Sequence, residues 1–500
     1  MAPAFTTNGG YLLVLAIIAP VIGMLLSLVA GGRHAERIAL ALTPAGIGLA
    51  LAVAIEVWWR GAPLVYVLGD WTPPLGIALR ADGFSAVMLV TAAVVIAAAA
   101  WFARPLFATP SQVCEARAPL AFWTLLQGLW AALNMIFVGG DLFNLYVALE
   151  LLTFAAVPLV CLDGRAETLR AALRYLLFAL VGSVFYLLGA ALLYGGYGTL
   201  DIVLLAQRIG GDPVVPAAAF VAGGLMTAGL LAKTALFPLH LWLPPAHANA
   251  PAPASAVLSA LVVKGSFFLI VRLWFDVMPG LATHAVTLLL GGLGSAAIVF
   301  GSVLALRQER LKLLIAYSTI AQIGYLFLMF PLATGSGPWN SEAWNGGIMQ
   351  ALSHAFAKAA MFLAAGLVAE SLGHDRIADL RGVGRAMPIT MFAFGLGGLS
   401  LMGLPPSGGF AAKWLLLQAT VDKGAWLWAA VVLTGGVLAG GYVYRVVAPA
   451  LGDAKIAVKS QPSRGREAIA LALAAAAALL GFAPPGFFGL LQIGRGAGLP

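Results

Sequence analysis

Three lysines lie in the middle of long apolar segments of this 500-residue chain: Lys233, Lys264 and Lys413. A cation within the hydrocarbon layer of a membrane is costly, so intramembrane lysines usually have a function. Glu150 lies in a fourth such segment, GGDLFNLYVALELLTFAAVPLV, and needs a cation or a proton. Lys233 is its candidate partner. Because an ion pair favours a charged lysine and burial without a partner favours a neutral one, the pair predicts a proton switch.

Histidines accompany these charges. His354 and Lys358 in QALSHAFAKAAMFLAAG are four residues apart, and therefore lie on one face of a helix. Histidine suits proton relay because its unperturbed pKa is about 6.5. His240 and His247 flank the helix-breaking prolines that follow Lys233. We interpret His240 either as a further relay residue or as a hydrogen-bond partner of the broken backbone, and His247 as a loop residue near the cytoplasmic surface.

Each charged residue also has a purely structural interpretation. Glu150, Lys233 and Lys264 could form a static buried ion pair that locks helices together. Lys358 and Lys413 could extend their side chains to an interface and keep their ammonium groups in water. The sequence favours the functional interpretation, because intramembrane charges are functional by default.

The composition indicates a polytopic membrane protein. Hydrophobic residues make up 61% of the chain and charged residues only 10%, against about 25% charged in soluble domains. The loops are too short for a second globular unit, so we expect one membrane domain over residues 1–500. The net charge of +8 is spread singly over loops, which argues against nucleic-acid binding. Two cysteines without metal-ligand spacing predict no disulfide, metal site or cofactor.

Segments of about 20 apolar residues predict an all-α fold with about fourteen transmembrane spans. We number them span 1 to span 14, and they lie near residues 11–30, 38–59, 83–104, 118–138, 142–162, 173–194, 215–237, 253–275, 283–305, 312–333, 347–370, 388–417, 425–448 and 467–490.

The distribution of lysine and arginine predicts the orientation. If successive loops lie on opposite sides of the membrane, 18 of the 28 basic residues, Lys455 among them, fall on one side, five on the other and five within the spans. The positive-inside rule makes the richer side cytoplasmic. We therefore expect an even number of spans in a bacterial cytoplasmic (inner) membrane, with both termini non-cytoplasmic.

Helix breakers interrupt two spans that also carry a lysine. Pro238, Pro244 and Pro245 follow Lys233 in span 7, and the segment GLPPSGG precedes Lys413 in span 12. Unpaired backbone within a bilayer is tolerated only against protein or water, so broken helices indicate a hydrated path. The two breaks are five spans apart. This spacing predicts two inverted five-helix repeats, at about 118–275 and 283–448.

At these residues the chain resembles the antiporter-like membrane subunits shared by respiratory complex I, membrane-bound hydrogenases and multisubunit Mrp-type cation/proton antiporters. The most specific stretch is KTALFPLHLWLPPAHANAPAPASAVLSALVVKGSFFLIVR, from Lys233 to Arg272. DLFNLYVALELL around Glu150, HAFAKAAMFLAAG from His354 and LPPSGGFAAKWLLLQA around Lys413 support it. The resemblance covers nearly the whole chain and implies fourteen core helices, broken helices 7 and 12, and a midplane chain of buried charges.

The resemblance also implies site residues. The family's proton-translocating positions fall on Glu150 of helix 5, Lys233 of helix 7, Lys264 of helix 8, His354 and Lys358 of helix 11, and Lys413 of helix 12. The helix 12 group is glutamate or lysine within the family. The lysine here is more similar to the D-type Mrp antiporter protein than to the complex I subunit that carries glutamate.

The function implied is proton translocation in a multisubunit Na⁺ or K⁺/proton antiporter. A proton enters from the cytoplasm, reaches Lys233 when its pairing with Glu150 loosens, passes Lys264 and His354, and leaves by Lys413. The alternative is the antiporter-like subunit of NADH:quinone oxidoreductase (complex I) or of a membrane-bound hydrogenase, where the chain would count as part of a translocase. In each case the partners are other membrane subunits, and no catalytic redox site is expected in this chain.

Two hypotheses from other classes remain open. One is a quinone or redox site within the chain, for which no cluster or haem ligands are visible. The other is a structural scaffold for a redox complex. A scaffold predicts that neutral substitutions at Lys233 and Lys264 are harmless, because buried ion pairs often contribute little net stability.

Overall fold

A computed structural model describes residues 5–335, 337, 339–454 and 458–495; Lys455 lies outside the described residues. Most of the chain is α-helical. The α-helices are Tyr11–Ala30, Gly32–Arg60, Gly83–Ala103, Arg117–Val138, Leu142–Val160, Ala166–Tyr197, Ile202–Gly211, Ala217–Thr234, Leu243–Asn249, Ala252–Val257, Val263–Val271, His284–Arg307, Leu311–Phe327, Met329–Leu332, Trp339–Leu372, Val383–Ala386, Pro388–Met402, Gly408–Asp422, Trp426–Ala450, Arg464–Leu479 and Pro485–Gln492.

Shorter elements complete the fold. Two π-helical segments, Leu258–Val262 and Arg272–Val277, continue span 8, so that this span runs unbroken through Ala252–Val277. The 3₁₀ turns are Leu68–Asp70, Pro279–Leu281, Ile377–Leu380 and Leu480–Phe482. The strands Leu64–Val67 and Ala78–Ala81 pair antiparallel in a hairpin between spans 2 and 3.

The predicted membrane architecture is confirmed. Thirteen helices in the described part of the chain are long and apolar enough to cross a membrane. The remaining predicted span, span 12, is present as two shorter helices, Pro388–Met402 and Gly408–Asp422. Span 2 begins at Gly32 and span 6 extends over Ala166–Tyr197, longer than predicted at either end, because their charged and polar end residues continue the helix beyond the apolar core.

The spans alternate between two faces of the molecule. One, here the hairpin face, holds the β-hairpin; the other, here the arginine-rich face, holds the loops that follow spans 1, 3, 5, 9, 11 and 13. The amide of Gly83 on the hairpin face donates to the carbonyl of Ile493 (3.0 Å), and that of Thr7 donates to Val65 (2.9 Å). Both ends of the described chain therefore lie on the same face, as an even number of spans requires.

The most buried helices form the centre of the molecule. Spans 8, 10 and 11 are enclosed over nearly their whole length, whereas spans 1, 2, 6, 9, 13 and 14 turn many apolar side chains outward. Side chains on spans 8, 10 and 11 are thus shielded from lipid. A polar path through the membrane needs such an interior position, because polar groups are costly against lipid. The relation of residues 118–275 and 283–448 as two inverted five-helix repeats stays a prediction.

Spans 7 and 12 are broken as predicted. The first half of span 7, Ala217–Thr234, ends at Ala235, which has φ +57°. The first half of span 12 ends at Gly403, with φ +81°. A Cβ at position 403 would lie 2.6 Å from Cδ of Lys413, so glycine both makes the turn and leaves room for the lysine stem.

A buried arginine ties span 8 to span 3 at the hairpin face. Arg272 donates to Asp82 Oδ1 (2.7 Å), to Asp276 Oδ2 (2.7 Å) and to Ser85 Oγ (2.9 Å). Asp82 also caps span 3 by accepting from the Ser85 amide (2.9 Å). Burial acts to raise the pKa of Asp82, but the charge and hydrogen bonds of Arg272 outweigh burial and hold that pKa below its ordinary value.

We expect Arg272→Gln to destabilise the protein strongly. It leaves the carboxylates of Asp82 and Asp276 buried without a cation, and breaking a buried ion pair costs about 3–5 kcal/mol. The thermal unfolding midpoint of the purified complex measures the effect. Arg60→Gln is the control, because Arg60 is a half-exposed partner of Glu56 (3.9 Å), and such a pair is worth less than about 1 kcal/mol. Equal midpoints for the two variants would contradict this role of Arg272.

Candidate functional site

Glu150 pairs with the lysine that the sequence suggested as its partner. Nζ of Lys233 on span 7 lies 3.2 Å from Oε1 of Glu150 on span 5 and donates to Oγ1 of Thr153 (3.0 Å). The hydroxyl of Ser183 on span 6 also donates to Glu150. Helices of three spans therefore converge on one carboxylate. Each side chain is mostly buried, so the pair is shielded from bulk water while two hydroxyls supply additional hydrogen bonds.

A small cavity connects this pair to span 8. It has a volume of about 10 Å³ and is lined by Thr153, Tyr175 and Lys233 on one side and by Val262 and Ser266 on the other. About 10–15 Å³ is enough for one water molecule. The cavity therefore has room for a water between the Lys233 ammonium group and span 8, two residues from the next lysine along the path.

Lys264 lies two residues after the π-helical segment Leu258–Val262. Its Nζ donates to the carbonyl of Ser259 (2.6 Å), and the side chain is fully buried. Among the described residues no carboxylate pairs with it, so the static ion-pair interpretation is wrong for Lys264. The Ser259 hydroxyl is 2.9 Å from the Thr319 hydroxyl of span 10, which continues the polar contacts toward the next span. A π-helical segment beside a buried lysine is typical of functional sites.

Span 11 carries the next two groups. Nζ of Lys358 donates to the carbonyl of Ile315 (2.9 Å) and to the hydroxyl of Ser318, both on span 10. His354 is 1% exposed, and neither ring nitrogen has a hydrogen-bond partner among the described residues. The charges of Lys264, Lys358 and Lys413 all act on this imidazole, so His354 lies among the three lysines. A buried ring with two free nitrogens can accept and return a proton.

Lys413 lies at the break in span 12. Its Nζ donates to the carbonyls of Leu401 (2.6 Å) and Met402 (3.3 Å), which end the first half of that span. The ammonium group also lies 4.2 Å from the ring centroid of Tyr325. Lys413 and Lys358 are both buried and bonded within the protein, so the interpretation in which they extend to an interface is wrong for both.

Two glutamines join the last lysine to span 11, and sequence reasoning missed them. Gln350 donates to Gln322 Oε1 (2.9 Å), and Gln322 donates to the carbonyl of Leu401 (3.1 Å), the same oxygen that Lys413 uses. Gln322 also donates to the hydroxyl of Tyr442 (3.2 Å). Gln350 precedes His354 by four residues, and that spacing was the available signal. A neutral amide within an apolar segment is a weaker sequence signal than a charged group.

Of the two histidines near the break of span 7, His247 differs from expectation. His247 is fully buried on the short helix Leu243–Asn249, stacked on Phe362 (ring centroids 4.7 Å apart), and neither ring nitrogen has a partner in the described part of the chain. Its interpretation as a surface loop residue is wrong, because spans 10 and 11 cover this helix. His240 is 4% exposed and packs against Phe237 and Phe300, and its Nδ1 has no described hydrogen-bond partner.

The surroundings of these two rings also differ. The charges of Lys264, Lys312 and Lys358 all act on the imidazole of His247, whereas the ring of His240 lies among phenylalanines. His247 therefore lies closer to the central lysines than His240 does.

Together these groups form a line of titratable side chains within the protein, here the buried line, on spans 5, 7, 8, 11 and 12. It runs from Glu150 and Lys233 through Lys264 and His354 to Lys413. Among the described residues, no group of three or more His, Cys, Asp or Glu side chains is arranged to hold a metal ion. The arrangement is suited to moving protons between lysines, histidine and water.

Comparison with known proteins assigns the family. A sequence profile of the family described as "NADH:quinone oxidoreductase/Mrp antiporter, TM" matches residues 139–439. The chain belongs to this family. The matched part of this antiporter-family chain contains every residue of the buried line. The resemblance stated from the sequence motifs is therefore confirmed.

Individual relatives come from both branches of the family. The antiporter-family chain is 38% identical to the N subunit of NADH-quinone oxidoreductase from Desulforudis audaxviator, over 79% of this chain and 77% of that protein. It is 31% identical to the D subunit of the Na(+)/H(+) antiporter from Alkalihalophilus pseudofirmus, over 85% and 84%. The two branches have similar coverage.

Solved structures agree on the fold. A chain of the archaeal membrane-bound sulfane sulfur reductase superposes with a TM-score of 0.84 at 28% identity, covering 96% of each chain. A chain of the Mrp complex from Dietzia sp. DQ12-45-1b superposes with a TM-score of 0.86 at 24% identity, covering 97% of each. This antiporter-family chain thus has a fold used in membrane assemblies of more than one kind.

Proposed function

We propose that this protein is a proton-translocating subunit of a multisubunit membrane complex, with Glu150, Lys233, Lys264, His354, Lys358 and Lys413 as its path. The observation that carries the proposal is the pairing of Glu150 with Lys233 at 3.2 Å, followed across the protein by buried lysines that no described carboxylate neutralises. One paired and several unpaired lysines can exchange protons at small cost, whereas a scaffold would pair every charge.

The mechanism begins at the pair. While Glu150 holds Lys233, the ammonium form is favoured, and when the pair loosens, the desolvated lysine releases its proton. A water in the cavity beside Lys233 would carry the proton toward span 8 and Lys264. From there His354, with two free ring nitrogens, passes it on, and Lys413 receives it at the broken span 12. Each handover moves one proton and forms no covalent intermediate.

Lys358 and the histidines of the break support this path. Lys358 holds span 11 to span 10 through Ile315 and Ser318 and lies one helical turn from His354. His247 offers a second buried imidazole on the side of the break that faces the arginine-rich loops. His240 is a further relay residue on the same broken segment, and its ring packs among phenylalanines.

The complex is either a Na⁺ or K⁺/proton antiporter or a redox-driven pump such as NADH:quinone oxidoreductase. Lys413 on span 12 and the 31% identity to a D-type antiporter protein support the first. The 38% identity to an N-type oxidoreductase protein supports the second. In both, other membrane subunits are the partners. By the positive-inside rule, the basic loops support an orientation with the arginine-rich face in the cytoplasm and both termini outside, in a bacterial inner membrane.

The test uses everted membrane vesicles that contain the complete gene cluster of the complex. Na⁺ or K⁺ that collapses a preformed pH gradient identifies an antiporter. Acidification of the lumen on adding NADH or another reductant, without a response to either cation, identifies a redox-driven pump. Vesicles that show neither response, although the complex is assembled, would contradict proton translocation as the function.

A prediction tests the glutamine bridge to Lys413. Gln322→Leu removes the donor to the Leu401 carbonyl and leaves the Gln350 amide without its partner. An unsatisfied buried polar group costs about 1–3 kcal/mol, and without Gln322 the Leu401 carbonyl and Lys413 shift from their positions. We expect this shift to raise the barrier to proton transfer by about 1.4 kcal/mol, which slows proton transport about tenfold. Gln308→Leu is the control, because the Gln308 side chain donates to the Leu304 carbonyl (3.0 Å) within its own span 9, away from Lys413. Equal rates in the two variants would show that Gln322 does not help to position Lys413.

A further inference from the structure

A second polar site lies at the arginine-rich face, away from the buried line. It is an open groove of about 990 Å³ between the end of span 9, the start of span 10, the loop after span 11 and the end of span 13. Side chains of Arg310, His374, Asp375, Arg376 and Arg445 line it. None of them belongs to the proposed proton path.

The charges of this groove are only partly neutralised. Asp375 accepts from Arg310 Nε (2.9 Å) and from the Lys312 amide (3.3 Å), so that carboxylate is satisfied. Arg376 and Arg445 have no carboxylate within 4 Å among the described residues. Glu309 is exposed at the rim and is the remaining acid of the groove. Two guanidinium groups therefore remain available to an anion.

The side chain of Arg445 is held in place by a neighbouring helix. One of its terminal nitrogens donates to the carbonyl of Leu306 at the end of span 9, which fixes the guanidinium between two helices. A guanidinium has five N–H donors, so most of the donors of Arg445 stay free. Arg376 lies opposite on the loop, beside a short backbone bridge between Arg310 and Arg376. The groove thus presents guanidinium donors from two elements, and that of Arg445 is fixed by its contact with Leu306.

The groove lies near the end of span 13. Arg445 is five residues before the end of the helix Trp426–Ala450, about 7–8 Å along its axis at ~1.5 Å per residue. Beside it on the outward surface of span 13, Tyr444 is 72% exposed and Val437 is 76% exposed. Val437 and Tyr444 therefore give span 13 an outward-facing surface on the same helix as Arg445, close to the end of the span.

We propose that this groove binds the phosphate group of an anionic phospholipid, with Arg376 and Arg445 as the main donors and the acyl chains along span 13. Guanidinium groups suit this ligand because they donate two parallel hydrogen bonds to phosphate oxygens. Basic pockets between transmembrane helices on the cytoplasmic side are typical sites for anionic headgroups. The adjoining apolar surface favours a lipid over free phosphate. The inference does not depend on the proposed proton path.

The experiment measures lipid binding to the purified complete complex. The complex is delipidated in detergent, phosphatidylglycerol or phosphatidylcholine is titrated in, and bound lipid is counted by native mass spectrometry. We expect tighter binding of phosphatidylglycerol in wild type. Each of Arg376→Gln and Arg445→Gln weakens that preference about fivefold, and Arg445→Lys, which keeps the charge, retains most of it.

Arg385→Gln is the matched control, because Arg385 lies on the same face and pairs with the exposed Asp453 outside the groove. It should bind phosphatidylglycerol like wild type, and gel filtration checks that all variants assemble equally. Inorganic phosphate at millimolar concentration is the second arm and should not displace the lipid. Unchanged lipid binding in the double variant Arg376→Gln/Arg445→Gln, or full displacement by inorganic phosphate, would overturn the proposal.

Discussion

Glu150→Gln is expected to reduce proton transport by at least about tenfold, equivalent to ~1.4 kcal/mol or more in the barrier, while the complex assembles normally. Glutamine has nearly the same shape and keeps a hydrogen-bond acceptor for the Ser183 hydroxyl, but it carries no negative charge. Lys233 then loses the group that alternately stabilises and releases its proton. The measurement is the initial rate of pH-gradient formation or collapse in everted vesicles with equal amounts of assembled complex.

The matched control for that variant is Glu56→Gln. Glu56 lies near the end of span 2, is half-exposed and pairs only loosely with Arg60 (3.9 Å). Its removal leaves the buried line untouched, so transport should stay close to wild type. A Glu150→Gln complex that transports at the wild-type rate would show that the carboxylate is structural and not part of the path.

Lys413→Arg is expected to abolish most transport, although it preserves the positive charge. Arginine can still donate to the carbonyls of Leu401 and Met402, but its guanidinium is not deprotonated in proteins. A residue that cannot release a proton blocks a relay, whereas a scaffold or an electrostatic anchor tolerates it. We expect a loss of about tenfold or more, measured as the transport rate in the same vesicles.

Lys423→Arg provides the comparison for this substitution. Lys423 follows span 12 at the hairpin face and donates to the Pro331 carbonyl (2.7 Å). Burial lowers its pKa, yet it lies beyond the line of groups that ends at Lys413. Its arginine variant should transport normally. If Lys413→Arg also transports normally, Lys413 holds the broken helix together without passing protons.

Much of the site follows from residue types in the sequence. A carboxylate or a lysine within an apolar segment has few permissible environments. The pairing of Glu150 with Lys233 could therefore be predicted from the free-energy cost of burying an unpaired charge. The breaks in spans 7 and 12 could be predicted from proline and glycine for the same reason. Such features are visible in sequence because burying an unpaired charge or an unpaired backbone group costs several kcal/mol.

Features that depend on packing could not be predicted. His247 follows two prolines and precedes a stretch rich in alanine and proline, which is a loop pattern. It is buried only because neighbouring spans cover it. Gln322 and Gln350 are neutral and could face either water or protein. The hairpin of Leu64–Val67 and Ala78–Ala81 was missed because four-residue strands give too short a pattern to read.

The central claim is that protons cross this protein through Lys233. The most direct measurement compares wild type with Lys233→Ala in everted vesicles that carry the complete complex in equal amounts. Proton movement driven by Na⁺, K⁺ or a reductant is recorded with a pH-sensitive dye. We expect the wild-type response to be lost in Lys233→Ala. A Lys233→Ala complex that moves protons at the wild-type rate would contradict it.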